Sequence, residues 1–467
     1  MQDMSAMLEN HTFEQLRPGD VARLVRTLTA DDIAAFAALS GDVNPAHLDE
    51  AFARHSVFHG IVAHGMWTAS LISTVLGTRL PGPGTVYLGQ ELHFRAPVRV
   101  GDSLCVEVTV LEKHAAGHVV VLSCRITNQA GHVVVDGVAR VMAPTEKLRV
   151  PMAHLPQIEV HDAQAAFVHL LDTVKAWPAV DCAVVWPCDE MSLRAASQGA
   201  QSGLINPVLL GPVALMRELA QQHGIDLGRC HVDDVHDAQL AAAHAARLVA
   251  AQAAGLVMKG SLKTAELLRP LLHRVDLRTH RRLSHVWRFD LPHLSGPVFV
   301  TDGVVNIKPD LRAKRDIVQN VIDLCHLMCI ERPRVAVLSA VEEVNPAIES
   351  TLHAAQLCKM AERGQITGGV LEGPLALDLA LSLQARHLKH VKTHLDGRAD
   401  VLVVPDMEAG NMLGKQLEQM AGALSCGMVT GWQVPIALTS RSDTLRSRVA
   451  ALAMARRCLG HAEAVLA

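Results

Sequence analysis

From Asp102 to Pro144 the chain places three β-rich segments in a row, DSLCVEVTVLEKH, HVVVLSCRITNQ and HVVVDGVARVMAP. Gly separates them, and each alternates apolar with polar residues in part. Segments joined so closely fold most simply as an antiparallel meander. Two helical stretches precede them, TADDIAAFAALSG and the longer apolar HGMWTASLISTVLG, for which Gly77 is a natural C-cap. Helices followed by a meander predict an α+β domain, a sheet wrapped round one central helix.

After about residue 160 the pattern changes. CAVVWP, PVLLG, AGLVM, GPVFVTD, RVAVLS, ADVLVVPD and VPIALTS are short apolar runs suited to buried strands. Long Ala- and Leu-rich helical stretches such as DAQLAAAHAARLVAAQA lie between them. This alternation predicts an α/β domain with a largely parallel sheet. At 467 residues the chain exceeds one ordinary core. We expect domains at 1–150 and 166–467, joined by a Pro-bearing linker at 151–165, within the stretch VPMAHLPQIEVHD. Hydrophobic residues at 49% and aromatics at 3% imply cores built from Ala, Val and Leu.

A net charge of −4 gives no basic excess for a nucleic-acid partner. The stretch MQDMSAMLENHTF lacks the marks of a signal peptide, and no apolar run is long enough to span a bilayer. The expectation is a cytoplasmic protein without a membrane partner. The ten Cys have no metal spacing. Cys182/Cys188 and Cys325/Cys329 form near pairs without matching second pairs, and buried thiols in a reducing compartment are the expected reading, with no metal.

The run LSGDVNPAHLDEAF, Leu39–Phe52, is the densest in chemistry. Asn44 suits an N-cap and Pro45 the first helical position, with the helix running on through HLDEAFARH. Asp42 then sits in the loop and His47 in the first turn. Both side chains can meet beside the helix start, where a carboxylate and an imidazole can share a water and add it across a double bond. A helix cap with an incidental Asp and His is the simpler alternative.

This zone resembles the MaoC-like, R-specific enoyl-CoA hydratases over about residues 10 to 145. The resemblance rests on FAALSGDVNPAHLDEAFA, on IVAHGM and on PGPGTVYLGQELHFRAPVRVGD. It implies a hotdog fold, with Asp42 as general base and His47 orienting the water. Backbone N–H groups near Gly65 would stabilise the thioester enolate, and Gly there lets the thioester come close. His64 is given no chemical role, and Ser40 and Asn44 are read as structural.

Three stretches of the second zone stand at the ends of apolar runs: TDGVVNIKPD at 301–310, VVPDMEAGNMLGK at 403–415 and LTSRSDT at 438–444. In parallel α/β sheets, ligands bind at the carboxyl ends of strands. Ser440 and Arg441 supply a hydroxyl and a guanidinium fork for a phosphate, and Asp302 and Asp443 are possible bases. Residues from about 180 onward resemble the phosphate acetyl/butyryltransferase family, with GLINPVLLGP, LVMKGSLKT and EGPLALDLALS as further matches. EGPLALDLALS and LTSRSDT look more like the butyryl branch than the acetyl branch, since Asp443 follows the Ser-Arg pair sooner than the essential Asp of the acetyl branch does.

The resemblance implies acyl transfer between coenzyme A and inorganic phosphate in an α/β fold of two subdomains. Arg441 would hold phosphate and Ser440 would donate a hydrogen bond. Asn411 would polarise the carbonyl or fix the CoA chain, with Asp302 and Asn306 also in the substrate-binding set. Lys259 and Lys308 are basic candidates, each expected as a solvated surface Lys. CoA thioesters and phosphate enter as substrates, with no permanently bound cofactor, and a homo-oligomer is expected by resemblance. An alternative keeps the transferase and makes the hotdog unit a non-catalytic acyl-CoA-binding or oligomerising module.

Overall fold

The computed structural model describes residues 7–152, 165–292, 294 and 296–466, with side-chain burial described as far as 459. The chain divides into two compact units, Met1–Val160 and His161–Ala467. Most of the expected linker, residues 153–164, lies outside the described residues.

The first unit begins with β1 (Met7–Glu9), β2 (Val21–Thr27) and α1 (Ala30–Ser40). Thr29 and Asp32 form a reciprocal capping box at the start of α1, and Gly41, at φ 75°, closes it by bonding back to Ala37. Next come α2 (Pro45–Leu48) and α3 (Glu50–His55). These two replace the single helix expected here. Asp49 is extended between them and accepts from Phe52 N, so its carboxylate starts a second helix. The central helix α4 (Gly65–Thr78) follows. Gly77 does not cap it: Gly77 is helical and Arg79 is the cap residue.

The strands β3 (Val86–Phe94), β4 (Ser103–His114), β5 (Val119–Thr127) and β6 (Val133–Met142) join β2 in one antiparallel sheet, in the order β2-β4-β5-β6-β3. Along Ser103–Val110 of β4, every second side chain is buried. Leu104, Val106 and Val108 share a core with Trp67, Ile72, Val75 and Leu76 of α4. Each such aliphatic side chain contributes about 1.5–3 kcal/mol when fully buried. This is the expected helix wrapped by a meander. A last strand, β7 (Arg149–Pro151), pairs with β1. Val150 and Pro151, assigned from sequence to the boundary and the linker, therefore belong to this strand.

The second unit continues with α5 (Ala165–Asp172), β8 (Val180–Val185), α6 (Glu190–Gln201), β9 (Ile205–Gly211), α7 (Val213–His223), β10 (His231–Asp234), α8 (Ala238–Ala250), β11 (Leu256–Lys259) and α9 (Thr264–His273). Then come β12 (Ser284–Asp290), β13 (Val298–Thr301), α10 (Leu311–Leu327), β14 (Arg334–Leu338), α11 (Glu349–Glu362), β15 (Val370–Leu375), α12 (Leu377–Leu381), α13 (Leu383–Lys389), β16 (Val401–Val403), α14 (Met407–Met420), β17 (Leu424–Thr430), β18 (Ile436–Ala437) and α15 (Leu445–Leu466).

One eleven-stranded sheet runs β10-β9-β8-β11-β18-β17-β12-β13-β16-β14-β15. The block from β10 to β18 is parallel, as is the block from β13 to β15. Three antiparallel junctions, β18–β17, β17–β12 and β12–β13, separate the blocks, which therefore run in opposite senses. The expected subdomains thus share a continuous sheet. β12 was not among the expected strands because SHVWRFD carries His, Arg and Asp, yet all its residues but Asp290 are buried. Two of the four paired Cys depart from the buried reading: Cys188 is half-buried and Cys329 is exposed.

Candidate active sites

In the first unit the loop after α1 and the starts of α2 and α4 bring three side chains together. Asp42, His47 and His64 each place one ligand atom within 4.8 Å of the others. Asn44 caps α2 by accepting from Ala46 N, and Asp42 Oδ1 accepts from Asn44 N at 3.2 Å, so the motif folds its own loop.

His47 Nδ1 lies 2.8 Å from the Val62 carbonyl oxygen. A carbonyl only accepts, so Nδ1 carries the hydrogen, and Nε2 of the neutral ring keeps its lone pair. His64 is 2% exposed, donates from Nε2 to the Asp42 carbonyl oxygen at 3.1 Å, and stacks on His47 at 3.9 Å between centroids. It ties the Asp42 loop to the imidazole, a role that the sequence reading did not give it. The same three atoms meet the spacing of a metal site as well as that of a bound water.

His47 also lines a cavity of about 370 Å³ with Val62, Ala63, Gly65, Thr68 and Phe94. Gly65 opens α4, and among the described residues no side chain caps that end. The first N–H groups of a helix have no intrahelical partner and favour developing negative charge. A Cβ on Gly65 would fall 3.1 Å from the Phe94 ring, on the cavity wall.

In the second unit a pocket of about 330 Å³ forms where the carboxyl ends of β11 and β18 meet the loop after β13 and the helix α14. Lys259, Asn411, Ser440 and Arg441 line it, with His285 and Trp287 of β12. Of the expected site residues, Asn411, Ser440 and Arg441 therefore share one cavity. Asn411 Nδ2 donates to Gly303 O at 3.3 Å, and the exposed Arg441 reaches Ser261 O at 3.3 Å. Ser440 Oγ stands 3.1 Å from Ser442 Oγ.

Asp443, Asp302 and Asn306 are not in this lining. Asp443 accepts from Ser440 N at 2.7 Å and so shapes the turn, while burial holds its carboxyl above the usual range. Asp302, 2% exposed, accepts from Val304 N, Val305 N and Asn306, and burial outweighs these bonds in raising its carboxyl. Asn306 Nδ2 returns to Asp302 and to Leu283 O. Both oxygens of Asp302 and the Nδ2 of Asn306 are engaged in holding the loop that presents Val304, so the structure places these two expected substrate-binding residues behind the lining of the pocket rather than in it.

Lys308 is exposed, 3.6 Å from Glu349, as expected of a solvated Lys. Lys259 departs from that expectation. It is 3% exposed, donates to Thr439 O at 3.0 Å and Gly260 O at 3.2 Å, and is pushed down to about 8, by burial first and then by Arg448 and Arg441. Arg448, by contrast, was missed. It is 2% exposed and donates to Ser440 O at 2.9 Å and Ser192 Oγ at 3.0 Å, holding the Ser440 turn from behind. Only Lys259 gave a signal in the sequence, as the polar residue closing the apolar run LVMK; Arg448 gave none, sitting in a helix.

The fold and sites thus define an α+β hotdog unit with a carboxylate–imidazole pair, followed by an α/β unit with a cationic pocket at strand ends. Comparison with known proteins agrees. The phosphate acetyl/butaryl transferase family model matches residues 235–456, and the MaoC like domain model matches 17–128. A phosphate acetyltransferase of Rhizobium meliloti is 51% identical over 279 residues, covering 60% of this chain and 88% of the relative. A phosphate butyryltransferase of Clostridium acetobutylicum is 36% identical over 297 residues, covering 63% and 99%. Among solved structures, a branched-chain phosphotransacylase from Enterococcus faecalis matches with TM-score 0.53 at 27% identity, covering 60% of this chain and 99% of that one. An R-hydratase from Pseudomonas aeruginosa, 46% identical, covers 33% of this chain and 99% of that one at TM-score 0.32. The chain belongs to the phosphate acetyl/butyryltransferase family through its second unit and carries a MaoC-like domain ahead of it.

Proposed function

We propose that the chain is a bifunctional enzyme: its second unit transfers an acyl group between coenzyme A and inorganic phosphate, and its first hydrates a 2-enoyl-CoA to an (R)-3-hydroxyacyl-CoA. The transferase reading is carried by the convergence of Lys259, Asn411, Ser440 and Arg441 on one pocket in a chain of this family. Lys259 and Arg441 draw the phosphate dianion in, and the Arg fork orients it. A phosphate oxygen attacks the thioester carbonyl, the carbon–sulfur bond breaks, and the thiol leaves with the proton that phosphate brought. Ser440 and Asn411 supply hydrogen bonds to the phosphate or the thioester.

The hydratase reading rests on Asp42 and His47 sharing one small space beside an apolar cavity. Asp42 takes a proton from water, and His47 Nε2 holds the water's other hydrogen. Oxygen adds to the β-carbon, the proton goes to the α-carbon, and the charge on the thioester oxygen meets the first N–H groups of α4.

The test gives the purified chain crotonyl-CoA with and without phosphate and follows products by mass spectrometry, with acetyl-CoA and butyryl-CoA run alongside. Expected are hydroxybutyryl-CoA in both samples, and phosphate-dependent CoA release with an acyl phosphate from a saturated substrate. Absence of hydration would return the first unit to a binding module. Absence of acyl phosphate from every thioester would remove the transferase reading.

A further inference from the structure

The floor of the phosphate pocket holds a group that the transfer scheme above leaves unused. His285, on β12, is 1% exposed and lines the pocket beside Lys259, Thr439, Ser440 and Arg441. Its Nδ1 is buried and has no hydrogen-bond partner among the described residues. Leaving a buried polar nitrogen unpaired is costly, and such groups in native proteins call for a specific explanation.

The ring is held in place by its surroundings. Trp287 meets it edge-on, 4.6 Å between centroids at 86°. Across the sheet, a Cβ on Gly427 would fall 2.7 Å from His285 Nε2 and 3.0 Å from the Trp287 ring, so a glycine makes room for both. Gly303 and Gly414 likewise leave space for the indole, where a Cβ would stand 2.7 Å from it. Three glycines on three segments thus make room for an imidazole and its neighbour at the base of a cationic pocket.

Burial pushes the ring down to about 3, so it stays neutral where proteins work. A neutral imidazole keeps one N–H donor and adds no charge to a pocket already lined by Lys259, Lys263, Lys415 and Arg441. That combination suits a group that polarises a carbonyl and does not suit one that binds phosphate or removes a proton near neutrality.

We propose that His285 is a catalytic residue of the acyl transfer, donating a hydrogen bond from its ring to the thioester carbonyl oxygen. The inference rests on the transferase reading above. As the phosphate oxygen bonds to the carbonyl carbon, the carbonyl electron pair moves onto that oxygen, and the hydrogen bond strengthens. When the carbonyl re-forms, sulfur departs with its electron pair and takes the proton that phosphate carried. No proton leaves the imidazole.

The experiment measures acyl-phosphate formation from butyryl-CoA and phosphate with the full chain and with His285→Ala and His285→Gln, together with the melting temperature of each. Removing one such donor is expected to lower kcat about 10²–10³-fold while the KM for phosphate stays within about twofold. His285→Gln keeps an N–H donor and should recover part of the loss at an unchanged melting temperature. The pH profile of kcat should keep its shape between wild type and His285→Gln. Equal activity in all three proteins would overturn the proposal. So would equal losses in both variants tracking a fall in melting temperature, which marks a packing role, or an ionisation near neutrality that vanishes in His285→Gln, which marks a base. A wild type that makes no acyl phosphate would overturn the transferase reading itself, whereas an active wild type with an unimpaired His285→Ala would overturn only the role of His285.

Discussion

Asp42→Asn keeps the oxygen that accepts from Asn44 N, so the loop should fold while the base is lost. Crotonyl-CoA hydration is expected to fall about 10²–10⁴-fold, with phosphate-dependent CoA release unchanged. Arg441→Ala should do the reverse, raising the KM for phosphate about 10- to 100-fold and leaving hydration intact. Both rates are read on the same preparation, and a common fall in either variant would contradict independent sites. Asp42, His47, Ser440 and Arg441 were legible as residues because each sits in a short motif whose local geometry is set by neighbours. The part played by His64 was not legible, since it follows from a stack on His47 across a turn of chain.

At the scale of elements, the end of β11 carries the clearest pH dependence. The Lys259 ammonium is pushed down from an ordinary 10.5 to about 8. Between those values the unfolded chain binds more protons than the folded one, so this residue's contribution to stability rises with pH there; below about 8 its buried charge is a standing cost. Phosphate binding, which needs the charged form, should weaken as pH rises through about 8. Lys259→Met should abolish that dependence and lower phosphate affinity. The same substitution should stabilise the free protein at pH 7 by up to about 3 kcal/mol, checked by denaturant unfolding and by the phosphate KM at a series of pH values.

The opening of α14 gives a second element-scale test. A Cβ on Gly410 would stand 2.8 Å from Gly303 Cα and 2.7 Å from the Val404 side chain. Gly410→Ala should push the helix off the loop after β13, disturb the Asn411–Gly303 bond and cost about 1–3 kcal/mol, read as a lower melting temperature with reduced transfer. The contact with Gly303 is not visible in VVPDMEAGNMLGK, because that neighbour comes from another element.

For the whole molecule, each unit has its own core and its own pocket. Residues 1–160 expressed alone should hydrate crotonyl-CoA, and residues 161–467 alone should form acyl phosphate, each with kcat close to that of the intact chain. A cut before Arg149 should destabilise the first product, because it removes the partner of β1. Melting curves and the two assays on the separate products check this. Among the described residues no helix is long and apolar enough to cross a membrane.

The two fold types, the order of the units and the motif residues were determined by the sequence itself, because alternation, capping and glycine-bearing strand ends act over a few positions. The tertiary structure decided what those residues face. Lys259 and Thr439 are 180 positions apart and share a hydrogen bond. Burial makes the Lys259 ammonium a stronger acid and keeps His285 neutral, while backbone N–H groups tie the carboxylates of Asp302 and Asp443 into their turns. Desolvation depends on everything packed around a group, and that is fixed only when distant segments meet.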